Sequence, residues 1–219
     1  MIDDTPSPIL LTGFDPFAGE SINPSWEAVR ALDGEHIRGH RIVAHRLPVA
    51  FDASRAILDE LIADIHPELV LCVGQAGGRA QLSIERVAIN IADARIPDNA
   101  GACPIDASLV DDAPAAYFSS LPIKAMLAEL RAAGIPAEIS QTAGTYVCNA
   151  VFYGLMHGLQ ARNGMRGGFV HIPYSPEQAA AHPGAPSLST DIVIAALRII
   201  LDVALTTRDD RRIAAGAEY

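Results

Sequence analysis

The chain has 219 residues, of which half are hydrophobic and 19% are charged, and its formal net charge is −10. This balance indicates a folded globular protein rather than a disordered one, long enough to bury a sizeable core without disulfides or metals. We expect neither nucleic acid nor an anionic membrane as a partner, because both bind clustered Lys and Arg.

Strand-length apolar segments alternate along the chain with helix-length amphipathic segments, a pattern typical of α/β proteins. The predicted strands are residues 8–14, 41–47, 68–74, 83–91, 137–142 and 168–172. The predicted helices are residues 24–32, 53–65, 121–133, 148–160 and 188–205, and the predicted loops are residues 93–104 and 173–187. We see no repeat or linker, so we predict one domain over residues 1–219, with residues 206–219 a frayed, charged tail.

Cysteine usage and apolar segments together predict a cytoplasmic protein. Three cysteines are an odd number and do not make a disulfide framework. Residues 1–6 lack the basic and apolar regions of a signal peptide. The longest apolar run, residues 192–205, contains Arg198 and Asp202, which make it too polar and too short to span a bilayer. A reducing compartment would leave the thiols free.

Cys148 follows a predicted strand and a glycine turn, in the segment AGTYVCN, and therefore falls at the start of a helix. The dipole and the unpaired N–H groups of a helix N-terminus stabilise a thiolate. The same N–H groups could stabilise an oxyanion after the thiol attacks a carbonyl. The alternative is a buried cysteine that acts as a small hydrophobe, and we keep that interpretation for Cys72 and Cys103.

His171 lies near the carboxyl end of the predicted strand 168–172, 23 residues after Cys148. That interval fits one helix and a returning strand, so a single crossover would bring both side chains to the same edge of the sheet. A Cys–His pair is typical of nucleophilic catalysis, with the imidazole as base. A lone histidine is also often a structural residue.

The segment GQAGGR, residues 74–79, has neither the glycine spacing of a dinucleotide site nor the lysine of a P-loop, which argues against nucleotide binding. The next predicted strand carries Glu85. This carboxylate could orient the His171 imidazole and stabilise its charged form, or it could be a solvated charge on the strand surface.

Phe14 and Phe17 flank the turn after the first predicted strand, in the segment TGFDPF. They could fill the core. Alternatively, they could form the wall of a pocket, since aromatic faces suit a flat, neutral ring.

Four segments resemble, in this order, the pyroglutamyl-peptidase I family of cysteine peptidases: TGFDPFAGESINPS, GQAGGRAQLSIERVAINIADARIPDN, AGTYVCN and GFVHIPYSPEQ. The similarity runs from about residue 10 to the C-terminal helix. It implies an α/β/α sandwich around a mixed, mostly parallel twisted sheet. It also implies a homo-oligomer (a tetramer or a dimer), with no metal and no organic cofactor.

The resemblance further implies roles for individual residues. The catalytic residues would be Cys148, His171 and Glu85. Phe14 and Phe17 would enclose a lactam ring, Gln75 would bind its amide, and the remaining lining would be Ile96, Tyr146 and Val147. Arg95 would assist the oxyanion, and Tyr146 stands where many members have phenylalanine.

The implied reaction is hydrolysis, through a thioester, of the bond after an N-terminal pyroglutamyl residue of a peptide. Three alternatives remain open from the sequence. One is a cysteine hydrolase of a related lactam or N-acyl substrate, and another is a non-catalytic protein that binds pyroglutamyl groups. The third is a phosphorolytic nucleoside transferase of similar architecture, which would need a phosphate site and no thiol.

Overall fold

The structure is a computed structural model that describes residues 6–216. Its strands are β1 (Ile9–Phe14), β2 (His36–Ile37), β3 (His40–Leu47), β4 (Leu69–Gln75), β5 (Leu82–Glu85), β6 (Val87–Ile89), β7 (Ala116–Phe118), β8 (Ala137–Ser140) and β9 (Arg166–Ile172). Its helices are α1 (Pro24–Arg30), α2 (Phe51–Ile65), α3 (Ile123–Ala132), α4 (Val147–Leu159), α5 (Pro176–Ala179) and α6 (Thr190–Thr206).

Seven strands form one sheet in the order β2-β3-β1-β4-β9-β5-β8. Strands β3, β1, β4 and β9 pair in parallel, whereas β5 runs antiparallel to β9 and parallel to β8. Strand β2 forms an antiparallel hairpin with β3, and β6 and β7 form a separate antiparallel pair. The expected mixed, mostly parallel sheet is confirmed.

Helices cover both faces of this sheet. Alternate residues of β4 pack into two different hydrophobic clusters, with Leu71 and Val73 on one face and Val70 and Cys72 on the other. Helices α1, α3 and α6 cover the first face, and α2 and α4 cover the second. A parallel strand that is buried on both faces is apolar throughout, which explains the continuous run that predicts β4.

The predicted strand 83–91 is in fact two strands, β5 and β6, which belong to different sheets. The chain leaves the main sheet at Arg86, whose N–H donates to Ser140 O (3.0 Å) and whose carbonyl accepts from Ser119 N (2.9 Å). The short elements β2, β7 and α5 are absent from the sequence prediction. None of them is long enough to give a periodic pattern.

The segment after α6, which we expected to fray, makes contacts as far as Ala215, which packs against the first hydrophobic cluster. Asp210 Oδ1 accepts hydrogen bonds from the backbone N of Lys124 (3.1 Å) and Ala125 (2.9 Å), and Lys124 Nζ donates to Ile213 O (2.7 Å). Asp210 therefore caps α3, which has no side-chain cap of its own at Pro122.

Two expectations fall partly outside the described residues. They are the rest of the predicted tail, residues 217–219, and residues 1–5 of the segment that lacks signal-peptide features. Within residues 6–216, no helix is long and apolar enough to cross a membrane.

Candidate active site

Cys148 is the second residue of α4. The residue before the helix, Tyr146, is extended and makes no side-chain capping bond. The first in-helix hydrogen bond runs from Ala150 N to Tyr146 O (3.1 Å). The N–H groups of residues 147–149 consequently have no partner inside the helix, so this turn presents donors next to the thiol.

The thiol of Cys148 lies directly against the sheet at Gly74. A Cβ atom at Gly74 would lie 2.8 Å from Cys148 Sγ and 2.8 Å from Phe169 Cζ, so only glycine leaves room for the thiol there. In the β4–β9 register, Gly74 is the partner of His171. Side chains of register partners point to the same face of a sheet, so the thiol and the imidazole share one edge and one face.

The imidazole of His171 is fixed by Glu85. His171 Nδ1 lies 2.7 Å from Glu85 Oε1. Both side chains are buried, with exposed fractions of 4% and 0%. Arg79 Nη1 donates to the same oxygen at 2.6 Å. The Nε2 atom of the imidazole therefore remains available to other partners. The Glu85 carboxylate and the Arg79 guanidinium lie on the Nδ1 side of the ring.

Burial shifts the pKa values of both candidate reacting groups. It raises the pKa of the Cys148 thiol to about 12, with a smaller contribution from the charge of Glu85. Burial also lowers the pKa of His171, against the opposing effect of its hydrogen bond to Glu85. At neutral pH the resting pair is thus a thiol and a neutral imidazole, the form that can accept the thiol proton.

A narrow slot with a cavity volume of about 20 Å³ opens beside the thiol. It is lined by Phe14, Phe17, Asn23, Val49, Gln75, Tyr146, Val147 and Cys148. Two of these side chains carry an amide, and that of Asn23 is already engaged, since it donates to Asp15 O and accepts from Ser25 N. Gln75 Oε1 accepts a hydrogen bond from Gln178 Nε2 at 3.2 Å, which leaves the Gln75 amide N–H groups as donors for a ligand.

The structure does not bring Arg95 and Ile96 into this slot. They line a larger neighbouring groove of about 700 Å³, where Ile96 is 45% exposed. The groove shares Phe17 and Tyr146 with the slot. The other predicted pocket residues, Phe14, Gln75 and Val147, line the slot itself together with Cys148.

The hydroxyl of Tyr146 is used by the loop beside the site, because it donates to Pro97 O at 3.0 Å. The same loop is held by Thr145 Oγ1, which donates to Asp93 O at 2.7 Å. Asp98 Oδ2 accepts from Phe51 N at 2.8 Å, so it also caps α2. The tyrosine at this position thus adds a loop contact and leaves the aromatic wall of the slot in place.

Sequence reasoning missed Arg79 and Gln178, which contact Glu85 and Gln75. A buried carboxylate needs a cation nearby, so Glu85 gave a usable signal for Arg79, six residues earlier. Gln178 gave none, because it lies 103 residues from Gln75 in a segment predicted as loop. Within residues 6–216, no group of three or more His, Cys, Asp or Glu could hold a metal ion.

An α/β sheet that gathers a thiol, an imidazole and a carboxylate at one edge is the arrangement of a cysteine-type hydrolase. Comparison with known proteins narrows this class. Residues 7–207 match the model of the pyroglutamyl peptidase family. The chain therefore belongs to the pyroglutamyl peptidase family.

Individual relatives agree with that assignment. The chain is 59% identical to pyrrolidone-carboxylate peptidase 1 of Ralstonia nicotianae, over 95% of this chain and 97% of the relative. Its fold is similar to the crystal structure of pyroglutamyl peptidase I from Bacillus amyloliquefaciens, with a TM-score of 0.92, 48% identity, and coverage of 95% and 100%. For pyrrolidone carboxyl peptidase from Thermococcus litoralis, the TM-score is 0.91 at 36% identity, with coverage of 95% and 99%.

Proposed function

We propose that the protein is a cysteine exopeptidase that hydrolyses the bond after an N-terminal pyroglutamyl residue of a peptide. The observation that carries this proposal is the position of the Cys148 thiol. It lies at the slot lined by Phe14 and Phe17, and against the glycine that is the register partner of His171. The names of the relatives, pyrrolidone-carboxylate peptidase and pyroglutamyl peptidase I, support the same substrate.

In this mechanism His171 Nε2 takes the proton of the Cys148 thiol as Sγ attacks the pyroglutamyl carbonyl. The N–H groups in the first turn of α4 receive the oxyanion. His171 then gives the proton to the departing amine, which leaves a thioester on Sγ. A water molecule activated by His171 hydrolyses the thioester, and Glu85 holds the imidazole and stabilises its charged form throughout.

The slot accounts for selectivity between pyroglutamyl and ordinary N-termini. Phe14, Phe17 and Tyr146 offer faces for a flat five-membered lactam, and the Gln75 amide can donate to its ring carbonyl. An N-terminal glutamine or glutamate would instead bring an ammonium group into an apolar site without a partner. Arg95 and Ile96 line the groove outside the slot, which would receive the rest of the peptide in this proposal.

We also propose a cytoplasmic, single-domain enzyme that assembles as a homotetramer or a homodimer. The odd number of cysteines supports the cytoplasmic location, and the absence of a composition break supports a single domain. The family resemblance supports the third point, the homo-oligomer. Light scattering coupled to size-exclusion chromatography would give the mass of the assembly. A monomeric mass at micromolar concentration would contradict the third point.

The substrate class is tested with a matched set of fluorogenic amides of 7-amino-4-methylcoumarin. The acyl groups are pyroglutamyl, prolyl, glutaminyl and N-acetylalanyl. Prolyl keeps the ring and adds an ammonium, glutaminyl opens the ring, and N-acetylalanyl keeps a neutral amide without the ring. We expect release from the pyroglutamyl amide alone. Faster release from the N-acetylalanyl amide would favour an N-acyl hydrolase, and no release from any of them would overturn the peptidase proposal.

A further inference from the structure

We propose that Arg79 is a positioning residue of this site, which holds the Glu85 carboxylate against His171 and ties it to the turn that precedes Cys148. The inference rests on the proposed function in so far as it assigns a role in the same reaction. It concerns a residue to which neither the sequence motifs nor the likeness to the family gave a role.

The first support is the way that Glu85 is held. Its Oε1 atom accepts from Arg79 Nη1 (2.6 Å) and lies 2.7 Å from His171 Nδ1. Its Oε2 atom is buried and has no hydrogen-bond partner within residues 6–216. The rotation of this carboxylate is consequently set by one oxygen and two partners. Without Arg79, the only remaining hydrogen-bond partner of the carboxylate in the described part of the chain would be His171, the residue whose ring Glu85 orients.

The second support is a hydrogen bond made by the other terminal nitrogen of the guanidinium. Arg79 Nη2 donates to Thr142 O at 3.0 Å. Thr142 lies in the turn between β8 and α4, and its carbonyl also accepts from Ser140 Oγ at 2.9 Å. One side chain therefore bridges the carboxylate behind the imidazole and the turn that delivers the thiol. A planar guanidinium with several fixed N–H donors suits such a bridge, and an ammonium group does not.

The turn before Arg79 directs the Arg79 side chain back towards Glu85. Arg79 N donates to Ala76 O at 3.2 Å, which closes a tight turn after β4. A Cβ at Gly77 would lie 2.2 Å from Tyr174 Cζ, so a larger residue there would have to displace this ring. The glycine run thus has a structural purpose, because it places Arg79 over the end of β5.

The charge of Arg79 acts on both reacting groups. A fully buried carboxylate costs free energy unless a cation compensates it, and the Arg79 side chain is 27% exposed while that of Glu85 is 0% exposed. After the larger effects of burial and of Glu85, the positive charge of Arg79 lowers the pKa of the Cys148 thiol and the pKa of His171. It therefore favours both the thiolate and the neutral imidazole.

The test compares Arg79→Met and Arg79→Lys with wild type, and uses Arg86→Met as a matched control. Arg86 adjoins Glu85 in sequence but lines a different cavity, with Phe118 and Arg208. For Arg79→Met we expect kcat on pyroglutamyl-7-amido-4-methylcoumarin to fall about 10- to 100-fold, the usual worth of a hydrogen bond to a charged group, with little change in KM. The acid limb of the kcat/KM profile should move to higher pH, since the pKa of His171 rises when a nearby positive charge is removed.

Two results separate this role from a merely structural one. Arg79→Lys keeps the charge and should retain a normal acid limb at reduced kcat. Added guanidinium ion should restore part of the activity of Arg79→Met. An Arg79→Met variant within twofold of wild type would overturn the proposal. So would a loss of activity with an unchanged acid limb and no rescue by lysine or guanidinium.

A readout without substrate keeps this proposal distinct from the peptidase proposal. The rate at which iodoacetamide alkylates Cys148, followed by peptide mass spectrometry across pH, reports thiolate formation alone. Arg79→Met should be alkylated more slowly than wild type at each pH, and Arg86→Met should not. Equal rates for Arg79→Met and wild type would overturn the electrostatic part of the proposal, whether or not the wild-type protein cleaves pyroglutamyl amides.

Discussion

His171 Nδ1 lies 2.7 Å from Glu85 Oε1, although 86 residues separate them in the chain. Strand β5 pairs antiparallel with β9, with Ser83 opposite His171, so Glu85 lies two residues further along β5 and on the same face. The two-residue period of a strand thus directs Ser83, Glu85 and His171 towards the layer that contains α4. Two oppositely directed strands assemble the imidazole–carboxylate part of the site.

This pair leads to a prediction about the relative importance of its members. Glu85→Gln should lower kcat far less than His171→Ala, because His171 transfers the proton and Glu85 orients the ring. The Glu85→Gln variant should also move the acid limb of kcat/KM to lower pH. The hydrogen bond and the charge of Glu85 raise the pKa of His171, so their loss lets burial lower it further. Steady-state kinetics from pH 4 to 9 would measure both effects.

The control for that comparison is Glu138→Gln on the neighbouring strand β8. Glu138 accepts hydrogen bonds from Gln81 Nε2 (2.8 Å) and Ser83 Oγ (2.8 Å) and, within residues 6–216, makes no hydrogen bond or ion pair with the imidazole. The acid limb of the kcat/KM profile of Glu138→Gln should match that of wild type. Equal losses of kcat in Glu85→Gln and His171→Ala would contradict the ranking.

Gln75→Leu tests the lactam site. The leucine keeps the size of the side chain and removes the donor, so kcat/KM for the pyroglutamyl amide should fall about tenfold or more, mainly through a higher KM. Gln178→Leu should also raise KM, but by less. It removes only the hydrogen bond that fixes the orientation of the Gln75 amide and leaves the Gln75 donor in place. Gln160→Leu, at the far end of α4, is the control. An unchanged KM in Gln75→Leu would remove this residue from the substrate site.

Gly74→Ala tests the close contact between the thiol and the sheet. The new methyl group would meet Cys148 Sγ and Phe169 Cζ at 2.8 Å, so the thiol must move. A displacement of this size should lower kcat about 10- to 100-fold. Gly154→Ala in α4 is the matched control, since its methyl group would meet only the flexible side chain of Arg55, at 3.3 Å. Wild-type kcat in Gly74→Ala would show that the thiol does not depend on this contact.

Asp210→Ala tests whether the C-terminal segment supports the fold. Loss of the cap on α3 should lower the free energy of unfolding by about 1 kcal/mol while kcat stays at the wild-type value. Urea unfolding followed by circular dichroism would measure it, with Asp209→Ala as the neighbouring control. The same stability for both variants would mean that the segment is not tied to α3.

The sequence predicts the main elements of this fold because most of them carry strong local signals. Asn23 and Pro24 begin α1 as expected, with Asn23 accepting from Ser25 N, and the apolar runs of β1, β4 and β9 lie at the centre of the sheet. The direction of β5 and β8 carries no such signal. Their antiparallel placement relative to β9 depends on packing between distant segments. Glu85 therefore could not be placed from the rule that parallel strands bring their carboxyl ends to one edge of a sheet.

The residues of the candidate site divide in the same way, into those that local patterns predict and those that only the fold brings together. Cys148, Phe14 and Phe17 stand at element ends that local patterns identify, and the structure places all three around one slot. Arg79 and Gln178 act through partners that only the folded chain brings near. Ile96 was assigned by resemblance alone, and its exposed position in the outer groove depends on the path of a loop that hydrogen bonds from Tyr146 and Asp98 define.

The mechanism requires the Cys148 thiol to be the nucleophile of a pyroglutamyl peptidase, a claim that one experiment tests. The most direct measurement is fluorophore release from pyroglutamyl-7-amido-4-methylcoumarin by the reduced wild-type protein, the iodoacetamide-treated protein and the Cys148→Ser variant, each checked for folding by circular dichroism. We expect steady release from the untreated wild type and almost none from the other two. Release by folded Cys148→Ser at a rate comparable to wild type, or no release by folded wild type, would contradict the claim.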